Sequence, residues 1–142
     1  MTLQTLVVFF IAASMGMIGF YSTLIYVVLG VLGLPLFANG GGIGYIFSPT
    51  FGFLYGMVIS AFIIAYILKS EVNTGLIKLS ATILAGAFVI FLCGASHLSF
   101  FVGLEQAINL GLLPFLYSEF LKIVLAIAII FGLIQRVNQK NS

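Results

Sequence analysis

A chain of 142 residues that is 63% hydrophobic and only 6% charged has too little polar surface to face water on all sides, because soluble domains carry about 25% charged residues. That excludes a soluble globular domain, and a net charge of +2 with no basic run excludes a nucleic-acid partner. The single cysteine, Cys93, excludes a disulfide within the chain.

A bilayer span takes about 20 mostly apolar residues. The chain offers five such runs, at 3–20, 21–37, 51–68, 79–98 and 118–135, the first two joined by a turn around Gly16 and Gly19. Period-2 alternation is absent, so the runs read as helices and not as barrel strands. The expectation is a single transmembrane domain over 1–142: an all-α, polytopic bundle of five helices with a glycine-rich external loop. Residues 3–20 lack the cationic leader of a signal peptide.

Charge placement orients the bundle. Lys69 and Lys78 bracket the connection after the third span, and Arg136 and Lys140 follow the fifth. The positive-inside bias assigns both segments, and hence the C-terminus, to the cytoplasm. The long connections 38–50 and 99–117 then lie outside. So does the N-terminus, although Met1-Thr-Leu-Gln carries nothing that drives it across; one further span before it would repair this.

Within the external connections, Gly40-Gly-Gly-Ile-Gly44 frees the backbone to turn sharply and approach a ligand closely. Irregular backbone near membrane depth is tolerated where protein or a water-filled cavity covers it. The loop reads either as the lid of an outward-facing pocket or as a flexible external connection. It is not a phosphate-binding loop, since no Gly-Lys-Ser/Thr follows. Gly52, Gly56 and Ser60 place small residues on one face of the third span, as does Ala12 with Gly16 on the first, suited to close packing within the chain or against a partner. Cys93 and His97 are four apart on one face, the spacing of a metal pair or of two packed side chains, with no third ligand nearby. Glu105, Gln106 and Asn109 share one side of a short helix, where Glu105 either gates a pocket or faces water. No nucleophile stands beside a base, so an enzyme is not expected, and no metal or cofactor is implied.

The last run carries the most informative pair. Pro114 interrupts a backbone ladder, so a helix is expected to begin just after it, with Glu119 and Lys122 three apart at its start. An ionisable residue inside a span costs about 2.5–3.5 kcal/mol on insertion scales, which favours placement toward a partner, a cavity or a ligand. The competing reading is a helix-end pair at the headgroup level, with Lys122 reaching phosphate.

Thr2-Leu-Gln-Thr-Leu6, Gly33-Leu-Pro-Leu-Phe-Ala38 with Gly40–Gly44, Ser48-Pro-Thr-Phe-Gly-Phe53, and Gly103-Leu-Glu-Gln-Ala107 leading into Leu113-Pro-Phe-Leu-Tyr-Ser-Glu-Phe-Leu-Lys122 together resemble the BioY family, the biotin-binding S components of energy-coupling-factor (ECF) transporters. The motifs run in family order across nearly the whole chain. The resemblance implies six spans, the first of which would precede Thr2, and a subunit that captures biotin from outside at the plasma membrane of a prokaryote. It also implies, as partners, an ECF transmembrane coupling protein and two cytoplasmic ATPase subunits, together with membrane lipid. It implies that Glu119 and Lys122 belong to the substrate site; the chemistry of biotin adds Gln4, Gly41, Gly42, Tyr45 and Thr50 as candidates for its other polar edges, with Phe37, Tyr45, Phe47 and Phe53 available to cover the apolar ring. Aspartate is usual in the family where Glu119 stands, and glycine where Phe51 stands. The alternatives are an S component for another small vitamin, or a non-transporting or truncated assembly subunit.

Overall fold

The computed structural model describes residues 3–37, 39–69 and 74–142. Thr2, in the opening motif, and Ala38, the first residue of the glycine-rich connection, lie outside them. The described chain is all-α, with five helices: α1 Gln4–Met15, α2 Met17–Val31, α3 Phe51–Leu68, α4 Leu76–Val102 and α5 Leu104–Asn141. Among the described residues the only β-type pairing is an isolated bridge between Phe37 and Gly40.

The apolar run over 3–37 divides at a single residue. Gly16 has φ 60° and ψ −131°, and it closes α1 through its N–H to the Ala12 carbonyl while opening α2. Only glycine takes that backbone without a side-chain clash. The two helices fold back on each other so closely that a Cβ at Gly19 would lie 2.2 Å from the Ile11 carbonyl oxygen. At 12 and 15 residues they extend about 18 and 22 Å, short of the roughly 30 Å hydrocarbon core. The other three helices are long and apolar enough to cross a membrane.

The α3–α4 pair is the tightest contact. Small residues allow it: Gly52 faces His97 and Cys93, Gly56 faces Ile90, and Gly86 faces Ser60 and Ile64. The Gly52, Gly56, Ser60 stripe is therefore spent within the chain, where close backbone approach replaces the hydrophobic drive that lipid removes. α3 ends at Lys69 in the left-handed conformation, φ 48°, with its N–H on the Ala65 carbonyl. α4 ends at Gly103, φ 85°, whose N–H caps Ser99 and whose carbonyl receives the Ala107 N–H.

α5 runs back along α4, with Gly111 against Leu98 near the turn. The helix does not begin after Pro114. It starts at Leu104, passes through a π-helical segment at Ala107–Leu112, and continues as α-helix over Leu113–Asn141. In a π turn the carbonyl of residue i pairs with the N–H of i+5, so widening the coil just ahead of proline carries the helix past the residue without an N–H. Phe9, Ala12, Ala61, Ile64, Leu79, Ile83, Ile90, Ala126 and Ile130 form the core, drawn from α1, α3, α4 and α5.

The antiparallel order gathers four of the five cationic residues, Lys69, Lys78, Arg136 and Lys140, toward one end of the bundle. The glycine loop and the Gly103 turn occupy the other. Lys122 alone stands in between.

Candidate functional site

The buried face of α5 is spaced 119, 123, 126, 130, so Glu119 continues a stripe otherwise made of Ile123, Ala126 and Ile130. That register turns the carboxyl inward: Glu119 is only 2% exposed. Its Oε2 accepts a hydrogen bond from Lys122 Nζ at 3.2 Å, with the two side chains 3% and 11% exposed. An i,i+3 pair on a helix meets readily, and burial in a poorly solvated setting strengthens the attraction while raising the cost of losing either partner. A groove of about 480 Å³ lies beside Glu119 between α4 and α5, walled by Ala87, Phe88, Phe91, Tyr117 and Phe120. Its walls are apolar and aromatic, with Tyr117 and Glu119 as the side chains that carry polar atoms.

The pair does not stand at the mouth of the helix. From Gly103 to Glu119 the chain descends about 24 Å at about 1.5 Å per residue, which brings Glu119 level with the middle of α4. The helix-end pair at the headgroup level is thereby replaced by an ion pair inside the bundle. A burial signal was present in the sequence, since an apolar stripe at 123, 126 and 130 extends back to 119 by one turn.

The second cluster surrounds the glycine loop. Gln4 Nε2 donates to the Tyr26 hydroxyl, which donates to the Leu36 carbonyl at 3.0 Å. The Tyr26 and Phe37 rings meet edge to face at 5.8 Å, and Phe37 meets Tyr45 at 4.7 Å. Phe37 is itself 5% exposed, seated on Gly30, where a Cβ would lie 2.2 Å from its ring. The Tyr45 hydroxyl pairs with Thr50 Oγ1 at 3.2 Å, and Thr50 Oγ1 with Ser48 Oγ at 3.0 Å. Gly42 donates its N–H to the Gly30 carbonyl at 2.8 Å with φ 110°, and Gly41 lies so close to α2 that a Cβ would sit 2.1 Å from the Leu34 carbonyl oxygen. The glycines thus let the loop fold down onto the end of α2, and a 3-10 turn at Ile43–Phe47 then presents Tyr45 inward.

Gln4, Gly41, Gly42, Tyr45 and Thr50 are therefore brought together, and Glu119 is brought to Lys122. The two groups do not touch: the turn at Ile43–Phe47 packs on α2 and α3 and not on α5. His97, level with the loop, lies about 9–15 Å further along α4 than Phe91 and Ala87 of the Glu119 groove. Phe47, expected as a ring cover, is 75% exposed, whereas Phe53 packs on Gly94. Glu105, Gln106 and Asn109 are exposed. Tyr26 was not expected at the site, and no local pattern marks it, because its partners Gln4 and Leu36 are supplied by two other segments. His97 is not engaged with Cys93: its Nε2 lies 3.0 Å from the Ser48 carbonyl, while the Cys93 carbonyl accepts from the Tyr55 hydroxyl at 3.2 Å.

The arrangement offers a buried acceptor beside a cation, aromatic walls, and a loop of small residues at one end of the bundle. Comparison with known proteins gives this chemistry a context. The BioY family model matches residues 1–139. The chain is 37% identical over 131 residues to the probable biotin transporter BioY of Pyrococcus horikoshii, covering 91% of this chain and 76% of the relative. It is 38% identical over 128 residues to the biotin transporter BioY of Thermotoga maritima, covering 86% and 75%, and 30% identical over 144 residues to the biotin transporter BioY2 of Lactococcus lactis, covering 99% and 79%. No solved structure matches. These relatives are named as transporters and not as enzymes, and with the family pattern matched almost from end to end, the chain is a multi-pass membrane protein that belongs to the BioY family.

Proposed function

We propose that the chain is the substrate-binding subunit of a biotin transporter, taking biotin from outside the cell and delivering it across the plasma membrane. The observation that carries this reading is the Glu119–Lys122 pair, buried beside an aromatic groove in a chain whose relatives are named biotin transporters. Biotin has a ureido group with two N–H donors and one carbonyl acceptor, an apolar thioether ring and a valerate carboxylate. The Glu119 carboxylate is acceptor-only and suits a ureido N–H; Lys122 is donor-only and suits the ureido carbonyl. Aromatic side chains take the apolar ring, and the cluster of Gln4, Gly41, Gly42, Tyr45 and Thr50 forms the outer part of the site, with backbone groups of the glycine loop meeting the remaining polar edge. No catalytic group or cofactor is needed for capture and release.

The pair is set deeper than the loop, so one ligand reaching both would lie lengthwise along α4. Four cationic residues toward the end opposite the loop support a cytoplasmic C-terminus. The chain carries no nucleotide-binding motif, and energy would come from two cytoplasmic ATPases acting through an ECF coupling protein in the membrane.

Titration of labelled biotin against the purified full chain tests the reading, with desthiobiotin as competitor. Saturable binding in the parent, lost by at least tenfold in Glu119→Ala and in Lys122→Ala, is expected, since a site built on hydrogen bonds leaves its own groups unpaired when one side is removed. Equal binding by the parent and both variants would overturn the site.

A further inference from the structure

We propose that His97 is a positioning residue for the ligand site, acting as the latch that holds the glycine loop against α4. The inference rests on the biotin-capture reading for its functional consequence and on geometry for the latch itself. A carbonyl oxygen only accepts, so the 3.0 Å contact between His97 Nε2 and the Ser48 carbonyl requires the proton on Nε2. This bond crosses from α4 to the loop over 49 residues of sequence. Ser48 in turn carries the rest of the cluster: its Oγ pairs with Thr50, its N–H donates to the Tyr45 carbonyl at 2.9 Å, and Tyr45 packs against Phe37 with the rings tilted by 42°.

The loop is thus pinned at both ends. Tyr26 holds the Leu36 carbonyl from α2, and His97 holds the Ser48 carbonyl from α4. Between the pins, Gly40 pairs with Phe37 and the Gly42 N–H bonds to the Gly30 carbonyl, both glycines at positive φ, so release of the Ser48 carbonyl would loosen the segment after Gly42 while the loop's first half stays on α2. The histidine ring is held in place from three sides by Phe51, Tyr55 and Phe101, at 6.3, 5.8 and 5.4 Å between ring centroids. Gly52 lies directly against its Cβ, which sets the imidazole at the height of Ser48. A rigidly held ring whose one outward donor meets a loop carbonyl fixes where Tyr45 and Thr50 stand.

The test uses the full chain in nanodiscs, comparing the parent with His97→Leu, His97→Phe and His97→Gln by hydrogen exchange over 43–50 and by biotin dissociation kinetics. Removing the donor is expected to speed amide exchange across 43–50 and to raise the biotin dissociation rate by about three- to tenfold, as befits one hydrogen bond, while exchange in the middle of α3 and α4 stays at parental rates. His97→Gln, whose side-chain amide still donates, is expected to restore most of the loop protection. Unchanged loop exchange in both His97→Leu and His97→Phe would overturn the latch, whether or not biotin binds. A parent chain that fails to bind biotin but shows faster loop exchange in these variants would remove the capture reading and leave the latch standing. Faster exchange spread over α3 and α4 as well, without recovery by His97→Gln, would make His97 a packing residue and overturn the proposal.

Discussion

At Glu119 and Lys122 the question is whether two charges are there for the fold or for the ligand. The pair is costly either way, because a buried ion pair loses hydration that its mutual attraction repays only with good geometry. Glu119 is the deeper partner, at 3% exposure against 11% for Lys122, so leaving it alone should hurt more than leaving the lysine alone. Lys122→Met is expected to destabilise the chain by about 3–5 kcal/mol, and Glu119→Leu by less. The double replacement Glu119→Leu/Lys122→Met should recover most of that loss while abolishing biotin binding. Thermal unfolding in detergent alongside ligand titration separates the two contributions. A double variant as unstable as the worse single one would mean that the pair holds the helices together.

Packing between elements is set by glycines at close approaches, where a Cβ would meet backbone or the stem of a neighbouring side chain. A Cβ at Gly52 would lie 2.3 Å from His97 Cβ and 2.9 Å from the Cys93 carbonyl oxygen, neither of which moves cheaply, whereas a Cβ at Gly56 meets its nearest atom at 3.1 Å. Gly52→Ala should therefore cost about 1–3 kcal/mol by overpacking, and Gly56→Ala distinctly less. Both are read from the unfolding midpoint, and equal effects would contradict the α3–α4 register. The glycine loop is predicted to behave differently. Gly41→Ala forces the loop off the Leu34 carbonyl, so biotin affinity should fall while the midpoint of the helical core stays within a degree or two. That outcome reflects how few core side chains the loop supplies, Phe37 being its one fully buried ring.

For the whole molecule, orientation is the property that gives the site its use. With Cys93→Ser as background, a cysteine introduced at exposed Ile43 is expected to react with a membrane-impermeant thiol reagent applied from outside, and one at Ser142 only after the membrane is opened. The reverse pattern would place the loop in the cytoplasm and end the case for capture from outside. The bundle is built unevenly: α3, α4 and α5 are long enough to span, while the α1–α2 hairpin is shorter, with a groove of about 460 Å³ between its arms.

Class, helix number and loop placement were legible in the sequence because they depend on composition and run length, and those act locally. The approach of Glu119 to Lys122 was legible too, since three residues of helix bring side chains together whatever lies around them. Depth was not. Pro114 suggested a helix start, and only the π segment ahead of it, packed along α4, lets α5 begin ten residues earlier and carries the ion pair into the bundle. Nor could spacing show that His97 reaches Ser48 and not Cys93, or that Tyr26 joins Gln4 to Leu36. Such contacts join segments far apart in the chain, and the helix packing that aligns them is a property of the folded bundle and of no single stretch.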